Sequence, residues 1–221
     1  MSLNMTSTIT RSLLLFLITL LVGCAASKGP DNTALRQSKP RSIVVLPPLN
    51  NSPDVRASYS FMSTVTFPLS ELGYYVFPVA LVDQTFKENG LPDPGEMHQV
   101  PLKKLAEIFG ADAALYITVD RYGAEYQLLN SSIIVAARAK LIDTRSGDLL
   151  WEGQASASSS ESNSGNSGGL LDMLIVSLIQ QVINSAGNQG HAVARMTSAR
   201  LLTLKPGGLL YGPRSPLFGT D

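Results

Sequence analysis

Ile43-Val44-Val45-Leu46, stopped by Pro47-Pro48, is the stretch on which the fold turns. Four apolar, mostly β-branched residues with no polar alternate suit a strand buried on both faces, as in a parallel sheet covered by helices. Asn50-Asn51-Ser52-Pro53 then combines a turn with a helix start, Ser52 as N-cap and Pro53 as first helical residue. Val55, Tyr59, Met62 and Val65 recur at helical spacing, and Pro68 predicts a break near Thr66 to Pro68. Gly73 ends that helix, and Tyr74-Tyr75-Val76-Phe77 reads as a short strand. Leu81 to Asn89 is a brief helix, followed by a loop that leaves His98 in solvent. Pro101 opens another helix with Leu102, Leu105, Ala106 and Phe109 on one face and Gly110 at its end. Three strands follow: Ala113 to about Tyr126, Ser132 to Ile142, and Leu149 to Ala155, the last two joined through Gly147 as a hairpin. In the middle strand Ile133, Val135, Ala137, Ala139 and Leu141 alternate with Ile134, Ala136, Arg138 and Lys140, giving one buried and one mixed face. The order β-α-β-α-β-β-β, followed by two C-terminal helices, predicts an α/β fold with a mixed sheet and helices packed on it.

The flanks set the domain limits. Arg11 precedes an apolar run from Leu13 to Val22, and no acidic residue occurs before Asp31. Such a run is too short to span a bilayer, which needs about 20 residues, and its order matches a secretory signal over residues 1–23. Residues 24–40 are polar and aperiodic and read as a tether reaching about 55 Å at most. The domain then runs over 41–214, with a tail at 215–221. Within it, Ser156 to Gly169 is almost all Ser, Gly and Asn, a composition that cannot repay the entropy of ordering. Leu170 to Ile183 is apolar on nearly every side, but as a helix rises only about 21 Å, too little to cross a membrane. Leu171, Leu174, Ile175, Leu178, Ile179 and Val182 are therefore candidate contact residues of an association surface, with burial in their own domain as the alternative. A homo-oligomer is the corresponding expectation. A helix of small residues after Gly190 carries Arg195 and Arg200, and the chain from Lys205 to Pro213 is irregular.

Composition removes several kinds of chemistry. The 17 Lys and Arg balance the 17 Asp and Glu, so nothing points to nucleic acid. One Cys permits no intramolecular disulfide, and two His leave any metal dependent on carboxylates, which lack calcium-loop spacing. His98 and His191 read as surface or capping groups, and no nucleophile elbow or phosphate-cradling glycine loop occurs. Tyr74, Tyr75 and Phe77 read as sheet packing, with a partner surface as the alternative. No catalytic residue, cofactor or metal site is expected.

Two resemblances add to this. Cys24, directly after Leu21-Val22-Gly23, resembles the bacterial lipoprotein signal, whose thiol receives a diacylglycerol before cleavage; an ordinary signal with a chance Cys is the alternative. Two or three acyl chains make attachment durable, and Ala25 after the Cys matches the sorting pattern for the outer membrane. Ile43 to Ser52, Pro68 to Val79, Phe109 to Ala113, Asp143 to Trp151 and Leu210-Tyr211-Gly212-Pro213-Arg214 together resemble a bacterial lipoprotein family of unknown function, typified by a neisserial genome-derived surface antigen. The first strand and the Gly-Asp-Leu-Leu-Trp pattern are shared with the amino-terminal domain of TolB, with CsgG and with LpoB-type activators. The resemblance implies an α/β domain that binds envelope proteins, with a CsgG-like lipoprotein as partner, in an outer-membrane secretion or surface-assembly system. A regulator of a periplasmic enzyme such as a peptidoglycan synthase is the alternative, which a tether of that length disfavours.

Overall fold

In the computed structural model the described residues are 31–126, 131–161 and 189–221. The signal over 1–23, Cys24, most of the Ser/Gly/Asn-rich stretch and the apolar segment 170–183 lie outside them.

The strand expected at Ile43 is β1 (Ser42–Val45), and its residues 43 to 45 are wholly buried. It lies between two parallel neighbours, β3 (Tyr75–Val76) and β4 (Ala113–Tyr126), with Ile43 opposite Val76 on one side and Ala113 on the other. β5 (Ser131–Asp143) and β6 (Leu149–Ser158) extend the sheet antiparallel, giving the order β3-β1-β4-β5-β6. A sixth strand, β2 (Leu49–Asn50), adds to β4 in parallel where a turn was expected.

Two sets of helices cover the sheet. On one face α2 (Ala57–Glu71) and α6 (Gln189–Thr203) bury Phe61, Val65, Leu69, Met196 and Leu202 against Val45, Leu115, Ile117, Val135 and Leu141. On the other, α3 (Val79–Glu88), α4 (Pro94–Met97) and α5 (Leu102–Phe109) close a smaller core of Val44, Leu46, Val82, Phe86, Met97 and Leu105. Strand alternation in β5 and the buried face of α5 follow the sequence pattern, because both are set by local periodicity.

Four expectations are corrected. First, the tether does not run to residue 40: α1 (Thr33–Ser38) is folded, Leu35 is 3% exposed, and the Ser38 hydroxyl donates to Asp143 at 2.6 Å. A single Leu in a polar stretch carries no period, so its anchoring role is invisible locally. Second, Ser52 is not a helix cap. Asn50 Oδ1 accepts from the Ser52 amide and hydroxyl at 2.9 and 2.7 Å, the Asp54 carboxylate accepts from the Arg56 amide, and α2 begins only at Ala57. The buried stripe is then Ala57, Phe61, Val65 and Leu69, while Val55 is 85% exposed. Third, Pro68 does not break α2. Proline withholds a donor from the Thr64 carbonyl, and Ser198 of α6 supplies one: its hydroxyl is 3.3 Å from that oxygen and 3.1 Å from the Arg195 carbonyl. Fourth, the tail after 214 is packed against the domain. The chain passes Gly73 so closely that a Cβ there would lie 2.4 Å from the Ser215 nitrogen, and the Gly73 carbonyl accepts from the Arg214 amide.

The Pro68 arrangement is testable. Ser198→Ala is expected to cost about 1 kcal/mol, and less in a Pro68→Ala background, where the restored amide takes the Thr64 carbonyl. A double-mutant cycle by urea unfolding reads the difference; equal costs in both backgrounds would mean that the hydroxyl does not replace the amide.

The β5–β6 turn is held by a buried carboxylate. Asp143 accepts from the Arg145 and Ser146 amides at 2.8 and 3.1 Å and from Ser38. Burial alone raises its pKa, but the Ser38 hydroxyl, the two amides and the Arg145 charge outweigh that and hold it below 3.8.

Candidate interaction surface

The helices α3 to α5 cover only the β1 side of their face. Among the described residues no helix covers that face over β5, β6 and the part of β4 beyond Tyr116, and the period-2 pattern of the strands brings Tyr116 and Thr118, Arg138 and Lys140, Glu152 and Gln154 side by side. They line a shallow depression of about 450 Å³. Arg138 pairs with Asp120, whose carboxylate also accepts from Asn51 Nδ2 at 3.1 Å. Lys140 stands 3.9 Å from Glu152 on the neighbouring strand. Asp120 is the extra residue at the irregularity between Val119 and Arg121, which keeps Tyr122 on the buried side while the ladder continues. Exposed ion pairs contribute little stability. The face therefore offers a patterned set of charges and amides to a partner. Only its middle strand was legible, as the mixed face of Arg138 and Lys140; the same alternation in Tyr116-Thr118-Asp120 and Glu152-Gln154 carries the missing signal.

The structure corrects the reading of His98 as solvent-exposed and gives His191 a partner from a distant helix. His98 is half-buried, its Nε2–H donates to the Pro47 carbonyl at 2.9 Å, and its ring meets Tyr116 edge-on at 5.2 Å. His191 begins α6 as expected, but its Nδ1 lies 3.1 Å from the Ser60 hydroxyl, which is 2.7 Å from the Tyr122 hydroxyl. A serine and a histidine are thus brought together from distant parts of the chain, where no local motif announces them. Ser60 sits in the first turn of α2, and the charge facing His191 is Arg195, a cation that lowers its basicity. The group is a hydrogen-bonded clasp between α2, β4 and α6, and Gly190 is required beside it because a Cβ there would approach the Tyr122 ring to 2.9 Å.

Burial is the main cause that depresses both histidines below 6.5; Arg195 adds to it at His191, while the Pro47 carbonyl partly opposes it at His98. A histidine that resists charging when folded contributes stability above its unfolded pKa and loses it as pH falls through that value toward the folded one. The urea midpoint is therefore expected to drop between pH 7 and 5.5, and the slope to shrink in His98→Gln. A flat midpoint over that range would contradict the assignment. Asp143 acts in a separate window, below 3.8.

Among the other expected residues, the aromatic cluster divides. Tyr74 is buried, donates to the Leu210 carbonyl at 2.9 Å and has its phenol pKa raised by burial. Tyr75 is 42% exposed, edge-on to Phe77 at 5.1 Å, with the Arg214 guanidinium 5.3 Å from its ring centre. Cys24 and the contact residues Leu171, Leu174, Ile175, Leu178, Ile179 and Val182 lie outside the described residues. Among the described residues no group of three His, Cys, Asp or Glu is placed to hold a metal ion, and no helix is long and apolar enough to cross a membrane.

Two strings that mark the resemblance turn out to touch. Gly212 passes Gly73 and Tyr74 so closely that a Cβ would meet the Gly73 carbonyl at 2.8 Å, and the Gly212 amide donates to the Leu72 carbonyl at 2.7 Å. Gly-Tyr-Tyr and Tyr-Gly-Pro are thus halves of one contact.

The chain is similar to several known proteins. Lipoprotein NMB1124/NMB1162 of Neisseria meningitidis serogroup B is 45% identical over 197 residues, 88% of this chain and 91% of that protein. The crystal structure of lipoprotein GNA1162 from Neisseria meningitidis, 47% identical, superposes with a TM-score of 0.53 over 66% of this chain and all of that one. The LpoB C-terminal domain from Salmonella enterica, 14% identical, gives 0.40 over 64% of this chain and 92% of that one. The model of the GNA1162-like lipoproteins matches residues 30–214, and with that span and that identity the chain belongs to the GNA1162-like lipoprotein family.

Proposed function

We propose that this protein is anchored to the outer membrane through lipid on Cys24 and works by binding other envelope proteins, as an accessory of a CsgG-like secretion or surface-assembly system. The observation that carries the reading is the open face of β4, β5 and β6, with its ladder of Arg138, Lys140, Glu152 and Gln154. A sheet face that is polar and that none of the described residues covers, while the opposite face carries two helices, is suited to binding a partner. The fold of α1 supports a site of action near the bilayer. Only residues 25 to 32 remain between the anchor and the first helix, a reach of about 28 Å, half of what the sequence alone allows. Such a reach weighs against a regulator that must cross the wall to a peptidoglycan synthase. The CsgG-like identity of the partner rests on the family resemblance.

Crosslinking in intact cells followed by purification through this protein tests the reading. Recovery of a CsgG-like lipoprotein supports it. Recovery of a peptidoglycan synthase that the pure protein activates would replace it with the regulator reading.

Self-association is part of the proposal. The segment Leu170 to Ile183 is expected to join copies of the chain, so that the lipid-free form from residue 25 sediments as a dimer or larger. Ile175→Glu with Ile179→Glu should yield a folded monomer. A wild-type form that stays monomeric at high micromolar concentration would count against this.

A further inference from the structure

We propose that the end of the domain built from α1 and the chain after Thr203 is a lipid-facing surface, seated on anionic headgroups of the bilayer that holds the anchor. This deepens the reading above and rests on Cys24 being acylated.

The first argument is reach. Eight residues, 25 to 32, lie between Cys24 and Thr33, about 28 Å fully extended. β4 alone, from Ala113 to Tyr126, measures about 43 Å at strand rise. The tether is therefore shorter than β4, and the start of α1 is held within about 28 Å of the bilayer while the anchor holds.

The second argument is what that end displays. α1 and the C-terminal segment meet around a cavity of about 230 Å³ lined by Leu35, Arg36, Lys39, Tyr211 and Phe218 among others. Leu204, Leu217 and Phe218 are 51%, 47% and 44% exposed, large apolar side chains left in solvent on one short stretch. Arg36 and Lys39 line the same cavity as Phe218, Lys205 adjoins Leu204, and Arg214 lies three residues before Leu217. Arg36 donates to the Asp221 carbonyl, Lys205 pairs with the Asp221 carboxylate and lies 5.2 Å over the Tyr211 ring, and Arg214 lies over Tyr75. The acids nearby are Asp221, Asp31, which accepts from the Thr33 amide at 3.0 Å, Asp143, which accepts from Ser38 of α1, and Asp112, which accepts from the Arg41 amide. Apolar side chains that enter the interface, ringed by Lys and Arg that attract anionic lipid, are the composition of a peripheral membrane surface.

The test uses the full acylated protein in vesicles of phosphatidylethanolamine and phosphatidylglycerol. Once Cys24 is a thioether, an introduced cysteine is the only thiol. Leu217→Cys, Leu204→Cys and Val55→Cys each take an environment-sensitive fluorophore, Val55 being the control at 85% exposure. The labels at 217 and 204 should shift to the blue and be quenched by spin-labelled lipid several times more than the label at 55. Lys39→Glu with Lys205→Glu should reduce that quenching. If the protein floats with the vesicles but all three labels quench alike, the orientation is wrong and the anchor stands. Shielding at 217 without lipid quenching would show that a second copy covers this end, which overturns the proposal too. Failure of the protein to float at all would overturn the anchor itself.

Discussion

Trp151→Ala should cost about 3–5 kcal/mol, a large share of the roughly 5–15 kcal/mol that holds a domain of this size. Trp151 is 3% exposed on β6 and packs into the core shared with α6. Its ring spans the gap that Gly153 leaves, where a Cβ would come within 2.5 Å of the indole. Its Nε1–H donates to the Gly207 carbonyl at 2.9 Å, tying β6 to the chain that follows α6. Truncation to Ala removes the ring, opens a cavity and leaves that carbonyl without its donor. Trp151→Phe separates the two effects, since it keeps most of the volume and should cost about 1–2 kcal/mol through the lost hydrogen bond. Wild-type unfolding can be followed by fluorescence because this is the only Trp in the chain, whereas the variants require circular dichroism. A cost below 1 kcal/mol for the Ala variant would mean that β6 and the C-terminal segment do not depend on each other.

Cys24→Ser should abolish lipid attachment entirely. It is the only cysteine, and it follows Leu21-Val22-Gly23 at the end of the apolar run. A hydroxyl in place of the thiol leaves no acceptor for diacylglycerol, so the precursor should remain unprocessed or soluble and metabolic labelling with a tagged fatty acid should vanish. A Ser variant that still labels and still fractionates with membranes would contradict the assignment.

What was legible in the sequence was whatever a few neighbouring residues decide. The β1 run, the alternation of β5, the Leu102-Leu105-Phe109 face of α5 and the Gly147 turn are all local patterns, and each is realised. The misses are long-range. Leu35 has no periodic neighbours, and it becomes a core residue only because Tyr74 and Leu210 leave room beside it. Pro68 remains within a helix because a serine on α6 donates to the carbonyl it orphans. Ser60 and His191 meet only after α2 and α6 pack on the same sheet face. Val55 and Tyr59 share the helical spacing of α2 yet are exposed, a surface exception that spacing alone does not reveal. The open sheet face was half visible, because Arg138 and Lys140 stand out, whereas Tyr116, Thr118 and Gln154 pass for ordinary strand residues until β4, β5 and β6 are laid side by side.

Partners are proposed to bind through the face of β4, β5 and β6 that none of the described residues covers. Photo-crosslinking in living cells tests it most directly, with a photoreactive residue in place of Gln154 on that face and, in a second strain, in place of Ser63 on the outer side of α2. The account predicts a discrete adduct with another envelope lipoprotein from position 154 and none from position 63. No adduct from 154, or the same adduct from both positions, would contradict it.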